Sequence, residues 1–173
     1  MSKIVIMGNS SSGKSSLALK FVEKYQFAHL DLDTIAWKAQ KIPIRESLSI
    51  TMAEIINFIN SHQKWIIEGC YGDLLKEILP YTNLLIFLNP TIETCVNNSK
   101  KRPWESHKYD TLEEQEANFN MLELWIKDYY VRNDEFSLNN HRQLFQSFLG
   151  KKIESIKNWD DYMIKSISQL LNV

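Results

Sequence analysis

Short, unbroken apolar runs alternate along this chain with longer segments whose apolar residues return every three or four positions. Residues 3–7 form the first short run. Over 15–25, Leu17, Phe21 and Val22 share one helical face. Residues 29–33 read as a second strand that ends in acid. Pro43 opens a segment in which Leu48, Met52, Ile55 and Ile59 recur at steps of four, three and four, which predicts a helix to about residue 62. WIIEG (65–69) and LLIFLNP (84–90) are strands of the fully buried kind. Pro90 suits the first position of a helix over 91–101, which stops before Pro103. Residues 102–110 have no period and read as an ordered loop. Thr111 and Glu114 then make a capping-box pair. The helix they start runs to about residue 131, with Phe119, Leu122, Ile126 and Tyr130 on one stripe and Met121, Trp125 and Tyr129 beside it. So wide a face predicts cover from more than one element. HRQLFQSFL is helical and Gly150 stops it, 151–158 is an edge strand, and 159–171 is a last helix.

Strands alternating with helices predict a parallel sheet covered on both faces. No repeat, low-complexity tract or linker divides the pattern, so one domain over 1–173 is expected. Ligands of such sheets sit beyond the carboxyl ends of the strands. Three polar signals fall there: the loop GNSSSGKSS, the pair Asp31 and Asp33, and Glu68 to Tyr71.

The loop is the most specific of the three. Gly8-x-x-x-x-Gly13-Lys14-Ser15, between a strand and a helix, is a complete Walker A pattern. Its glycines let backbone amides approach phosphates, and the following helix adds its positive end. Gly8, Asn9, Ser10, Ser11, Ser12, Gly13, Lys14, Ser15 and Ser16 are the expected nucleotide cradle. Lys14 can reach the β- and γ-phosphates, and the Ser15 hydroxyl can ligate Mg²⁺. No Asn/Thr-Lys-x-Asp guanine signature follows a late strand, so ATP is the expected triphosphate. Residues two apart on a strand share a face. Asp31 and Asp33 are therefore expected to project together, Asp31 toward the hydrated metal and Asp33 toward a hydroxyl whose proton it accepts.

Composition narrows the choice of partner. A net charge of −1 over 173 residues gives no basic surface for nucleic acid or membrane. The apolar start ends at Met7, too soon for a signal peptide, and no run approaches the length of a membrane span. Cys70 and Cys95 fit no metal spacing and read as reduced thiols of a cytoplasmic protein. Only four arginines stand against 16 lysines, so Arg45, Arg102, Arg132 and Arg142 draw notice as planar forks for phosphate or carboxylate.

On these residues the chain resembles the small P-loop kinases of the adenylate kinase and shikimate kinase type. The resemblance covers nearly the whole chain: GNSSSGKSS at the start, DLD after strand two, and a basic segment after strand four where such kinases keep a lid. It is closer still to a group described as shikimate-kinase-like or DNA-topology-modulation proteins. There the third strand ends much like WIIEGCYG, and one branch has a stretch like RPWESHKY. This likeness implies an α/β, three-layer P-loop NTPase fold with a five-stranded parallel sheet in the order 2-3-1-4-5, helices on both faces, and a helical lid over about 100–132. In shikimate kinases an Asp-x-Asp follows strand two, with the first acid near Mg²⁺ and the second on the acceptor, as Asp31 and Asp33 would be. The glycine triplet that those enzymes carry after strand three is replaced here by Glu68-Gly69-Cys70-Tyr71-Gly72, which argues against shikimate as substrate.

The resemblance also implies roles for the arginines. Arg102 would open the lid and steady charge on the transferring phosphoryl group. Arg132 and Arg142, at the far end of the lid's long helix, can swing back to the site. Arg45 starts a helix where such kinases grip the acceptor, and Glu68 and Tyr71 line the same edge. Lys100 and Lys101 either serve the lid or only complement a helix end. Trp104, His107 and Tyr109 either stack on a ligand or pack the lid to the body. The leading expectation is an ATP- and Mg²⁺-dependent kinase acting on a small molecule, with Lys14, Asp33, Arg102 and Arg142 as catalytic groups. The alternative is a P-loop ATPase or nucleotide-sensing regulator without an acceptor. A nucleic-acid-associated role is disfavoured by the near-neutral charge.

Overall fold

The computed structural model describes residues 2–38, 44–104 and 110–171. Pro43, His107, Tyr109 and the middle of the expected 102–110 loop lie outside the described residues. Five strands, β1 (Lys3–Gly8), β2 (Ala28–Asp31), β3 (Trp65–Gly69), β4 (Leu84–Leu88) and β5 (Lys151–Ser155), form one parallel sheet in the order β2-β3-β1-β4-β5. Eight helices accompany them among the described residues: α1 (Lys14–Tyr25), α2 (Leu48–Ser61), α3 (Gly72–Ile78), α4 (Ile92–Lys100), α5 (Leu112–Ala117), α6 (Phe119–Asp128), α7 (Leu138–Ser147) and α8 (Asp161–Leu171).

The three central strands are covered on both faces, which is why they read as unbroken apolar runs. Ile4, Ile6, Ile66 and Ile86 point to one side and pack on Leu17 and Phe21 of α1 and Ile164 and Ile167 of α8. Val5, Met7, Ile67 and Phe87 point to the other, against Ile55 of α2, Leu74 of α3 and Leu144 of α7. A small third cluster, Cys95, Val96 and Ile126, joins α4 to α6. Because β1 sits in the middle, the loop that leaves it opens at the centre of the carboxyl edge. Among the described residues no helix is long and apolar enough to cross a membrane.

Several local expectations are corrected. β2 ends at Asp31, and Leu32–Thr34 turns as one 3₁₀ turn. The Asp31 carboxylate accepts from the Asp33 N–H at 2.8 Å, the turn-forming habit of aspartate, and ladder pairing with β3 stops there. Asp31 and Asp33 therefore do not share a strand face. Arg45 does not start a helix. It bridges Trp37 in an antiparallel pair, and α2 begins only after Ser47, whose hydroxyl caps it. Pro90 lies outside α4, because Thr91 takes the cap and accepts from the Thr94 N–H. α3 was not foreseen. Its seven residues are too few to display a period, although Leu74, Leu75 and Ile78 are buried. The expected helix over 111–131 breaks at Asn118, whose side chain donates to the Glu114 carbonyl at 2.9 Å and competes with the helical ladder. α7 starts at Leu138, ahead of the expected 141, because Ser137 caps it.

Candidate active site

The loop after β1 takes three positive φ values, at Gly8 (150°), Ser11 (60°) and Gly13 (94°). A Cβ on Gly8 would lie 2.1 Å from the Leu88 carbonyl oxygen, so only glycine lets β1 and the end of β4 approach this closely. The helices α2, α4, α5 and α7 are capped by Ser or Thr side chains. α1 starts at Gly13 with no side-chain cap, so its first N–H groups face the loop's hollow. Lys14 Nζ donates to the Asn9 carbonyl at 2.9 Å and stands across the mouth of the loop. The Ser11 and Ser12 hydroxyls are buried and make no hydrogen bond among the described residues. Uncapped amides, an ammonium and spare hydroxyls in one hollow form an anion cradle. Asn9 anchors it: its side-chain amide donates to the Ile126 carbonyl of α6 at 3.0 Å, and its side-chain oxygen accepts from the Ser10 N–H.

A cleft of about 680 Å³ extends from this hollow. Gly13, Lys14, Ser15 and Ser16 form its floor, and Asp31 lines one wall. The opposite wall comes from residues the sequence did not single out. Asn98 of α4 donates to the Ser11 carbonyl at 2.9 Å and exchanges amide hydrogen bonds with Asn158, at 2.9 and 3.2 Å. Trp159 Nε1 donates to the Gly13 carbonyl at 3.1 Å, laying the indole against the loop. Asn158 and Trp159 follow the last strand, so the carboxyl-edge rule was the one signal that could have found them. Arg102 and Trp104 line the cleft as well, and Arg102 also lines a second cavity of about 310 Å³ beside Leu112 and Phe119.

His29, Asp31 and Glu68 project to the α1 side of the sheet, as the register of β2 on β3 requires. Glu68 is buried, its Oε1 lies 3.5 Å from His29 Nε2, and neither atom makes a hydrogen bond among the described residues. Among the described residues no group of three or more His, Cys, Asp or Glu is placed to hold a metal by itself. A magnesium ion bound mainly by water and phosphate needs only one or two protein oxygens. The Ser15 hydroxyl and Asp31, both lining the cleft, are hard donors of the right kind, so the residues fit such an ion. Glu68 and Tyr71 do not line one edge as expected, because they face opposite sides of the sheet.

On the far side, the Tyr71 hydroxyl donates to Asp33 Oδ1 at 2.6 Å, and Trp37 Nε1 donates to the Tyr71 oxygen at 2.7 Å. Burial, then the nearby Asp33 charge, raises the phenol far above its ordinary range, so it stays protonated. The Arg45 guanidinium lies 4.6 Å over the Tyr71 ring and donates to Asp73 at 3.0 Å. Arg132 lies 3.8 Å over Trp125 and donates to Asp134 at 2.6 Å. Both guanidinium groups flank Phe136, at 5.5 and 5.0 Å. Arg45 Nε and Nη1 and Arg132 Nε are buried without a hydrogen bond among the described residues. Arg142 is different: it is exposed on α7 and does not line the cleft.

Cys70 marks where the two sides meet. Its thiol is pushed up to about 12, chiefly by desolvation, and it feels Lys14, Asp33, Glu68 and Arg132 together. Behind it, His141 Nε2 lies 3.0 Å from the Cys70 carbonyl, which can only accept, so that nitrogen carries the proton. His141 Nδ1 then accepts from the Tyr129 hydroxyl at 2.7 Å. This buried pair locks α6 and α7 to the end of β3.

A glycine-rich loop between β1 and α1, under a parallel sheet ordered 2-3-1-4-5, defines a P-loop NTPase fold of the kinase-like kind. Solved structures agree. The chain is similar to a deoxyadenosine kinase from M. mycoides with bound dATP, at TM-score 0.56 and 13% identity over 99% of this chain and 100% of that one. It is similar to a sugar kinase from Janibacter sp. HTCC2649, at TM-score 0.55 and 13% identity over 100% and 96%. A gluconokinase from Sinorhizobium meliloti 1021 follows at TM-score 0.54 and 14% identity over 99% and 92%. No protein-family model matches the chain, and no curated protein matches it by sequence.

Proposed function

We propose that this protein is an ATP-dependent small-molecule kinase that moves the γ-phosphoryl group of MgATP to a hydroxyl of a small acceptor. One observation carries the reading. The two acids at the end of β2 part: Asp31 lines the cleft beside the loop, while Asp33 turns away to Tyr71 on the other side of the sheet. A protein that only hydrolyses a nucleotide has no use for a second acid held by Tyr71 and Trp37 apart from the nucleotide cleft. The loop residues 8–16 bind the triphosphate, with Lys14 on its β- and γ-phosphates. Bound Mg²⁺, held through Ser15 and Asp31 with Glu68 behind, supplies charge neutralisation. Asp33 takes the acceptor's proton, and Arg102 donates to the transferring group from the lid-like segment.

Acceptor binding falls to Arg45, Arg132 and Tyr71, whose guanidinium groups and rings offer both polar and stacking contacts. Arg142 is exposed on α7, a helix of the body outside the lid-like segment, and takes no part in this reading of the transfer. A nucleoside or sugar-like acceptor is favoured by the kinases that share the fold. On GNSSSGKSS, WIIEGCYG and RPWESHKY we place the chain with the shikimate-kinase-like group. Two free thiols suit a reducing, cytoplasmic setting. The test is ADP release from MgATP over a panel of nucleosides, nucleoside monophosphates, sugars and sugar acids, with Lys14→Ala as control. An acceptor-dependent rate lost in folded Lys14→Ala supports the kinase. A rate indifferent to every acceptor makes the protein an ATPase or nucleotide sensor.

A further inference from the structure

We propose that Tyr71 and Trp37 are positioning residues, a two-step hydrogen-bonded chain that aims the Asp33 carboxylate at the acceptor hydroxyl. The inference rests on the reading of Asp33 as the group that faces the acceptor. Its direction is fixed by chemistry. An indole N–H can only donate, so the Tyr71 oxygen must accept from Trp37 at 2.7 Å. The phenol's own proton is then committed to Asp33 Oδ1 at 2.6 Å. Each bond polarises the next, so the donor that reaches the carboxylate is stronger than an isolated tyrosine.

The chain is also rigid. Tyr71 is 2% exposed, and its ring meets Phe136 edge-on at 5.4 Å and Trp37 at 6.3 Å. The Arg45 guanidinium covers it at 4.6 Å. Asp33 itself sits in a single 3₁₀ turn beyond the sheet, where the ladder no longer holds the backbone. The chain ties that turn to the strand end at Tyr71 and to the Trp37–Arg45 bridge.

In the transfer, the acceptor O–H bond breaks as its oxygen bonds the γ-phosphorus. The proton passes to the Asp33 carboxylate. The bond from the γ-phosphorus to the bridging oxygen breaks, and its electron pair leaves with ADP. A carboxylate held in one rotamer meets that proton in line, and misplacing it costs rate without weakening nucleotide binding. Trp37 and Tyr71 thus act through Asp33 and touch no phosphate.

The experiment uses the full chain, with ¹⁵N-labelled tryptophan, as wild type, Trp37→Phe, Tyr71→Phe and Asp33→Asn. The Trp37 indole N–H signal is assigned by its loss in Trp37→Phe. It should move upfield in Tyr71→Phe and, by a smaller amount, in Asp33→Asn, because the Trp37 N–H is linked to Asp33 through the Tyr71 hydroxyl. MgATP turnover without added acceptor is the kinetic probe. Tyr71→Phe should lower kcat about tenfold and Trp37→Phe about threefold, with KM for ATP unchanged. An indole signal unmoved by Asp33→Asn, or losses that appear in KM for ATP alone, would overturn the positioning chain. If Tyr71→Phe does not fold, Trp37→Phe and Asp33→Asn decide by the same two readouts. Full turnover by Asp33→Asn instead overturns Asp33 as the base, a separate failure that the indole signal does not register.

Discussion

Gly8 shows how much one missing side chain can decide. Its φ of 150° and the 2.1 Å approach to the Leu88 carbonyl leave no room for a methyl group against backbone. Gly8→Ala should therefore destabilise the fold by about 2–4 kcal/mol and shift the loop, read as a lowered urea midpoint. His141 makes a different residue-scale prediction. Burial lowers it from 6.5 to about 4 in the folded chain. A folded value below the unfolded one means the unfolded chain binds the extra proton. The contribution is thus full above pH 6.5 and is lost as the pH falls toward 4, by about 3 kcal/mol in total. Urea unfolding at pH 7 and pH 5 should show about 2 kcal/mol of this loss, and His141→Gln should flatten it while lowering stability at both. Spacing made the loop legible, since Gly8, Gly13, Lys14 and Ser15 are close in sequence. His141 was not legible, because its partners are Cys70 and Tyr129, brought there by packing.

At the scale of elements, α5 is the least anchored helix. None of its six residues is buried, and its contacts include the Thr111 cap and the Gln115 side chain, which donates to the Pro103 carbonyl at 3.1 Å. α4, in contrast, buries Cys95, Val96 and Ser99. α5 amides should exchange with deuterium faster than those of any strand, and should slow when a non-hydrolysable ATP analogue and Mg²⁺ are added. Arg102, between α4 and α5, lines both cavities, so closure there would carry it onto the nucleotide. Arg102→Ala should lower turnover by about two to three powers of ten with little change in analogue affinity. Unchanged exchange over α5 together with full turnover would make the segment a fixed part of the wall. Period revealed α1 and α2, prolines bounded α4, and the Thr111–Glu114 pair marked the start of α5. The break at Asn118 was hidden, because a side chain that competes for one carbonyl leaves the apolar stripe intact.

For the whole molecule, the cleft is assembled from four distant stretches: the loop after β1 with the start of α1, the end of β2, the end of α4 with the residues that follow it, and the turn after β5. A ligand that bridges them must stabilise the folded chain against the unfolded one. At about a hundred times its dissociation constant it adds about 2.7 kcal/mol. MgATP should accordingly raise Tm in a concentration-dependent way. Lys14→Ala should fold with a similar Tm alone and show little of that increase.

Alternation of apolar runs and helical periods was enough, from the sequence by itself, to determine a parallel α/β sheet. Motif spacing within one loop located the turn between β1 and α1 that the proposed triphosphate site uses. These are short-range properties: strand burial and helix faces repeat every two to four residues, and backbone hydrogen bonding enforces them locally. Only the tertiary structure decided which side of the sheet each acid serves. Asp31 and Asp33 are two residues apart, yet a single turn sends one to the cleft and the other to Tyr71. Only it decided that Trp159 would lie on Gly13, 146 positions away, and that Arg45 and Arg132 would flank the same ring. Such meetings depend on which helices pack together, a balance of many buried contacts summed over the fold, and no local pattern records it.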